Sequence, residues 1–167
     1  MFKRMVVGTD GSETADQAVR QACELARIMK AALHVVTAYR AGVSGMAERA
    51  GAALVAGGAE DALRQENAEQ VVRQAALRWA RDLPVQTHAL PGDAADVIVG
   101  VAGLVGADLV VVGSKGMQGP RRILGSVPNS VCHSAPCAVL VVKTDQEPAA
   151  AQAVLASRRI GRPPTAS

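Results

Sequence analysis

Leu109-Val110-Val111-Val112 is an unbroken apolar run, opened by Asp108 and closed by Gly113. A strand without a polar alternate has no face to offer water, so it belongs in the middle of a sheet covered on both sides. That requirement points to a parallel sheet with helices above and below it. The rest of the chain supplies the other parts. Met5-Val6-Val7-Gly8 and Ala32 to Thr37 are further short β-type runs. Val85, Thr87 and Ala89 alternate with Gln86 and His88 after Pro84, and Cys137 to Lys143 form a last strand.

Helical patterns fall between these runs. Ala15, Ala18, Val19, Ala22, Leu25, Ala26 and Met29 recur at the spacing of one helical face. Ser12 or Thr14 can cap that helix, and Thr14 with Gln17 fits a capping box. A helix over roughly 59–81 places Leu63, Ala68, Val71, Val72, Ala75 and Trp79 on one side. Asp93, after the turn Pro91-Gly92, caps a third helix carrying Ala94, Val97, Ile98, Val101, Ala102 and Val105. A short helix runs from Ser126 to Ser134. Five strands with intervening helices make a five-stranded parallel, doubly wound sheet with helices on both faces, a Rossmann-like α/β fold. Residues 41–58, rich in Gly and Ala without a clean period, read as a flexible excursion. Residues 145–167 read as a disordered Ala/Arg/Pro-rich tail with a brief helix near 149–157. The folded domain is therefore expected over 1–144.

Composition removes several classes of function. Only Phe2, Tyr39 and Trp79 are aromatic among 167 residues, which argues against a base-stacking nucleic-acid binder and an aromatic flavin clamp. The formal net charge is +3 with 49% hydrophobic residues, a balance that intrinsic disorder does not show. Cys23, Cys132 and Cys137 are odd in number and unpaired in spacing, so neither a disulfide framework nor a zinc site is expected. His34, His88 and His133 have no metal-ligand spacing, and the neighbours Cys132 and His133 do not face each other on a helix. Arg158-Arg159 and Arg162 in the tail are read as solvated charge rather than a nucleic-acid arm. The apolar stretch Val97 to Ala107 is too short to span a bilayer. A cytoplasmic protein with neither nucleic-acid nor membrane partners is the expectation.

Two strands end in unusual sequences. The first runs into Gly8-Thr9-Asp10-Gly11-Ser12, and the fourth into Gly113-Ser114-Lys115-Gly116, with Gly125-Ser126 opening the next helix. Glycines let backbone N–H groups approach an anion, and the start of a helix adds the positive end of its dipole. Ser126 offers a hydroxyl to a phosphate oxygen, and Lys115, Arg121 and Arg122 bring cations to the same loop. Asp10 can accept from a ribose hydroxyl or a metal-bound water. Tight turns alone would also explain the glycines. There is no Walker loop and no Gly-x-Gly-x-x-Gly fingerprint.

Val6-Val7-Gly8-Thr9-Asp10-Gly11-Ser12-Glu13 resembles the opening strand of universal stress proteins. Asp108 to Gly116, Leu124 to Val131 and Ala135 to Lys143 resemble their closing signature. The resemblance covers residues 3–144 in three ordered segments. It implies a five-stranded parallel sheet of the adenine nucleotide alpha hydrolase-like type, and a homodimer paired through the last strand, Ala138 to Val142. It further implies an ATP-binding, stress-responsive regulator whose occupancy by ATP, with Mg²⁺ or Mn²⁺ on the phosphates, modulates an unidentified protein partner. The adenine and ribose side would use Gly8, Thr9, Asp10, Val35 and Val112. The phosphate side would use Gly113, Gly116, Gly125, Ser126 and Val127.

The chain departs from the family pattern Gly-x2-Gly-x9-Gly by one residue, since Met117 to Leu124 leave eight between Gly116 and Gly125. Pro128 stands where some members carry a hydroxyl. No general base or water-positioning group other than Asp10 is evident, so hydrolysis is expected to be slow or absent and no catalytic residue is named. The alternative is a dimeric scaffold of the same fold that binds no nucleotide. An adenylating or pyrophosphatase-type enzyme would need a Ser-Gly-Gly-x-Asp-Ser loop after the first strand, which Thr9-Asp10-Gly11-Ser12 is not.

Overall fold

The computed structural model describes residues 1–42, 54–114 and 125–144. The apolar run of the fourth strand lies inside a five-stranded, all-parallel sheet. The elements in chain order are β1 (Arg4–Gly8), α1 (Glu13–Met29), β2 (Ala32–Tyr39), α2 (Leu54–Trp79), β3 (Val85–Pro91), α3 (Ala94–Val105), β4 (Leu109–Gly113), α4 (Ser126–Ser134) and β5 (Ala138–Val142). The strand order is β3-β2-β1-β4-β5. The chain builds outward from β1 to β3, then crosses back to place β4 on the other side of β1. The order therefore reverses between β1 and β4, and a crevice opens there at the carboxyl ends of the strands.

Alternation along each strand divides the core into two layers. Met5, Val7, Leu33, Val35 and Val111 point to one face and pack with Ala18, Val19, Ala22 and Ala26 of α1 and Val72 and Ala75 of α2. Val6, Val36, Val110 and Val112 point to the other, against Ile98, Val101 and Ala102 of α3 and Val131 of α4. Small and branched side chains fill both layers, which lets helices lie close on the sheet with almost no aromatic content.

Helix ends follow local chemistry. The Ser12 hydroxyl accepts from the Ala15 N–H at 3.3 Å and caps α1, while Thr14 lies inside the helix, so the Thr14–Gln17 box is not the cap. Ser12→Ala is expected to lower stability by about 1 kcal/mol in urea unfolding. Asp93 caps α3 by accepting from the Ala95 N–H at 2.9 Å. At the amino ends of the central strands, away from the crevice, one Asp108 oxygen accepts from the N–H groups of Lys3 and Arg4, at 2.7 and 2.9 Å, and ties down the N-terminal segment. Arg27 of α1 holds both oxygens of Asp82 beyond α2 and donates to the Trp79 carbonyl. That guanidinium keeps the Asp82 carboxyl down at about 2.

The structure corrects several boundaries. β2 continues two residues past Thr37. α2 is already formed at Leu54, so residues 54–58 are helix rather than excursion; 43–53 and the proposed tail at 145–167 lie outside the described residues. Leu63 is 58% exposed and not part of the core face of α2, where Ala76 is buried instead. Cys23 is buried, but Cys132 is exposed and Cys137 only half-buried.

Candidate functional site

A cavity of about 360 Å³ occupies the crevice between the ends of β1 and β4. Gly8, Thr9 and Asp10 form its floor where β1 ends, and Val112 and Gly113 do so where β4 ends. Val36, Thr37 and Ala38 of β2 wall one side, Ala94 and Ile98 of α3 cover it, and Thr14 and Ala15 of α1 close the rear. Gly125, Ser126, Val127 and Pro128 bring in the start of α4. The strand ends are fixed by backbone bonds: Thr9 N–H donates to the Val36 carbonyl, and Ser114 N–H to the Val142 carbonyl.

Glycine at Gly8 makes room for a side chain of α3. A Cβ there would come within 2.5 Å of Ile98 Cδ1, so the missing side chain lets α3 roof the end of β1. Gly11 has a φ of +75° and turns the chain from β1 into α1 against Val71. Between them, Asp10 Oδ1 accepts from both the backbone N–H and the hydroxyl of Ser12, and Thr9 Oγ1 accepts from the Gly11 N–H at 3.2 Å. Asp10 thus shapes its own loop while lining the cavity.

The opposite end of the cavity differs in electrostatic character. α4 begins at Ser126 with Gly125 as its N-cap and, among the described residues, no side chain caps it. Its first turn carries no acidic residue, whereas α1 has Glu13 and Asp16, and α3 has Asp96, in theirs. Unneutralised N–H groups and the positive end of the helix dipole therefore face the cavity from α4, an arrangement that favours an anion. Most of the remaining lining is apolar, so the site can hold a flat apolar body at one end and a negative group at the other.

The sequence-named residues fall into three groups. Gly8, Thr9, Asp10, Val112, Gly113, Gly125, Ser126 and Val127 line this one cavity. Val35 does not: it is fully buried on the opposite sheet face among Met5, Leu33 and Val111, and its neighbour Val36 takes the cavity position. Gly116, with Lys115, Arg121 and Arg122, lies outside the described residues. Thr37, Ala38, Ala94 and Ile98 also line the cavity and were not read as site residues from the sequence. The β2 residues could have been found by extending that strand to Tyr39, and Ala94 from its place just after the Asp93 cap.

Other reactive groups lie apart from this cavity. Burial pushes the Cys23 thiol up to about 11, with Arg27 opposing, so it is held as an inert neutral group in the core. His34 and His88, which no sequence spacing connects, meet across β2 and β3 with Nδ1 and Nε2 at 3.0 Å. Among the described residues no cluster of three or more His, Cys, Asp or Glu could hold a metal, and no helix is long and apolar enough to cross a membrane.

Comparison with known proteins agrees with this architecture. Universal stress protein MJ0531 of Methanocaldococcus jannaschii is 33% identical over 149 residues, covering 86% of this chain and 83% of its own. Universal stress protein YxiE of Bacillus subtilis is 30% identical over 148 residues, covering 86% of this chain and all of its own. Among solved structures, a universal stress protein in complex with cAMP is 31% identical, with a TM-score of 0.59 over 86% of this chain and 98% of that one. The structure of hypothetical protein MJ0577 shares the fold, with a TM-score of 0.72 at 22% identity over 88% of this chain and 99% of that one. The model of the universal stress protein family matches residues 1–143, and with a Gly-Thr-Asp strand end, a reversal crevice and a glycine-capped α4 in place, the chain belongs to that family.

Proposed function

We propose that the protein binds ATP in the crevice between β1 and β4 and acts as a regulator rather than an enzyme. The observation that carries this reading is the pairing, in one cavity, of an apolar wall with the uncapped, acid-free start of α4. Adenine would lie against Val36, Ala38, Ile98 and Val112, the ribose near Asp10, and the phosphates at Gly113, Gly125 and Ser126. The cAMP complex of a 31% identical relative supports an adenine nucleotide as the ligand class. Mg²⁺ or Mn²⁺ would be carried on the phosphates. Among the described residues, the only carboxylate lining the cavity is Asp10, already engaged with Ser12. Fast hydrolysis has no base to drive it, so occupancy is the signal: ATP shifts the protein to the degree that it favours one conformation for an unidentified partner.

A homodimer through β5 fits this role and the cytoplasmic setting expected from the sequence. β5 is an edge strand hydrogen-bonded on one side to β4, and Leu140 on it is 37% exposed. An edge of that kind is satisfied by a second copy. A scaffold with no nucleotide would keep this edge and lose nothing else.

The test is direct. Nucleotide released from purified protein is identified by mass spectrometry, and ATP is then titrated with Mg²⁺ present. Binding tighter than about millimolar is expected; its absence leaves the scaffold reading. The double variant Gly125→Ala, Ser126→Ala should weaken ATP by at least about tenfold while the fold and dimer persist. Loss of the dimer alongside would mark 125–126 as a structural turn.

A further inference from the structure

His34 and His88 form an arrangement that the nucleotide cavity does not use. His34 sits mid-β2 and is 7% exposed; His88 sits on β3, an edge strand, and is half-buried. The strands pair in parallel with Val36 opposite His88 and Gln86 opposite His34, so the two imidazoles are diagonal neighbours on one face. Their ring centres are 5.3 Å apart while Nδ1 and Nε2 are 3.0 Å apart, and the ring planes are inclined by 30°. The nitrogens therefore lie close to the line joining the ring centres. That is the geometry of a shared N–H···N hydrogen bond, in which one ring donates and the other accepts. A metal held by both rings would instead need the two nitrogens turned toward a common point to one side.

The surroundings set how this bond answers to protons. Neither β2 nor β3 carries an acidic or basic side chain other than these histidines and the phenol of Tyr39. The charge acting from β1 is Arg4, of the same sign as an imidazolium. α3, packed on this face, has Asp96 as its single ionisable group, exposed in the first turn. Burial lowers both histidines below their ordinary range, and His34 is lowered further by His88 and Arg4. One added proton can be shared across the bond. A second makes both nitrogens donors and sets two like charges against each other, and the bond is lost.

The pair adjoins the cavity wall. His88, Ala89 and Leu90 of β3 are in register with Val36, Thr37 and Ala38 of β2, the three β2 residues that line the cavity. Three residues beyond Leu90, Asp93 caps α3, whose Ala94 and Ile98 cover the same space. We propose that the His34–His88 pair is a proton-binding site that fastens the β2–β3 wall of the nucleotide cavity, so that acid weakens nucleotide binding and bound nucleotide resists protonation of the pair. The second clause follows from the first by thermodynamic reciprocity. The coupling to nucleotide rests on the function proposed above; the proton site itself does not.

The sign of the pH effect follows from the direction of both shifts. The folded pair takes up protons less readily than the unfolded chain, so its contribution to stability is complete above the unfolded value near pH ~6.5. It drains away as pH falls below that value and reaches its floor below the folded values. Urea unfolding of the full chain across this window, without nucleotide, should therefore show a decline that is absent in His88→Val. Titration of ATP against both proteins should show wild-type affinity falling about tenfold more than that of His88→Val between about pH 8 and about pH 5. Comparing the two proteins cancels protonation of ATP itself. NMR titration of the wild-type imidazoles should give two macroscopic steps below ~6.5 for the pair, and this readout stands if the variant fails to fold.

Equal pH slopes in wild type and variant, in both unfolding and binding, overturn the proposal. So do two independent imidazole titrations near the ordinary value. No ATP binding at about pH 8 defeats the nucleotide reading, and unfolding and NMR then decide the proton site alone.

Discussion

Gly125→Asp should leave the protein as stable as before, or slightly more so, and reduce ATP affinity at least about a hundredfold. The two effects have one cause. Gly125 is the N-cap of α4 with φ −56° and ψ 159°, a conformation open to any residue. An aspartate there can accept from the free N–H groups of the first turn and meets the positive end of the helix dipole, which is worth up to a few tenths of a kcal/mol over glycine at a cap. The same carboxylate occupies the anion position and repels phosphate across it. Thermal unfolding with and without ATP, beside a binding titration, separates these terms: Tm of the free protein is unchanged or raised, and the ATP-induced rise in Tm disappears. A variant that binds ATP as tightly as wild type would remove the phosphates from α4. The reading of the cavity as a nucleotide site would then lose its main support.

Leu33→Ala should cost about 3 kcal/mol, read from the urea midpoint at an unchanged m-value. Leu33 is fully buried on β2, between Met5 of β1 and Val85 of β3, and faces the layer under α1 and α2. Deleting its branch leaves a void at the centre of the sheet, where neighbouring strands are held in register and cannot collapse to fill it. Leu63→Ala removes the same atoms from α2 but should change stability by less than about 0.5 kcal/mol. The difference measures burial directly, because the two side chains are chemically identical and only their surroundings differ.

That contrast also marks what the sequence could reveal. The fold was legible because Leu109 to Val112 admits only a two-sided cover and because strand and helix periods alternate cleanly around it. Gly8 to Asp10 and Gly125 to Val127 were legible as lining of the crevice because the switch-point rule directs attention to strand ends. Parity within β2 was not. Leu33, Val35 and Val36 are all apolar and buried on both faces, so no polar alternate shows which valine turns toward the crevice. The start of α2 was hidden by Gly57 and Gly58, whose low propensity reads locally as a break, although they lie within the helix. Leu63 has helical spacing but is exposed, because the buried face of α2 begins only at Ala68. The His34–His88 contact depends on the register of two strands separated by a helix, which no local pattern encodes.

Ser114 and Thr144 carry a practical consequence. The Thr144 N–H donates to Ser114 Oγ at 3.1 Å, both side chains are buried, and Ser114 N–H holds the Val142 carbonyl. The chain leaves one of these residues toward Gly116 and the other toward the C-terminus. Anything joined directly after Thr144 therefore begins beside Gly113, at the β4 end of the cavity, whereas Met1 precedes β1 at the opposite ends of the strands. Affinity tags, fluorophores and immobilisation linkers placed at the N-terminus will report on the crevice from a distance. The same groups joined directly after Thr144 would start beside Gly113 and the start of α4, and ligand affinities measured with the two placements should differ for that reason.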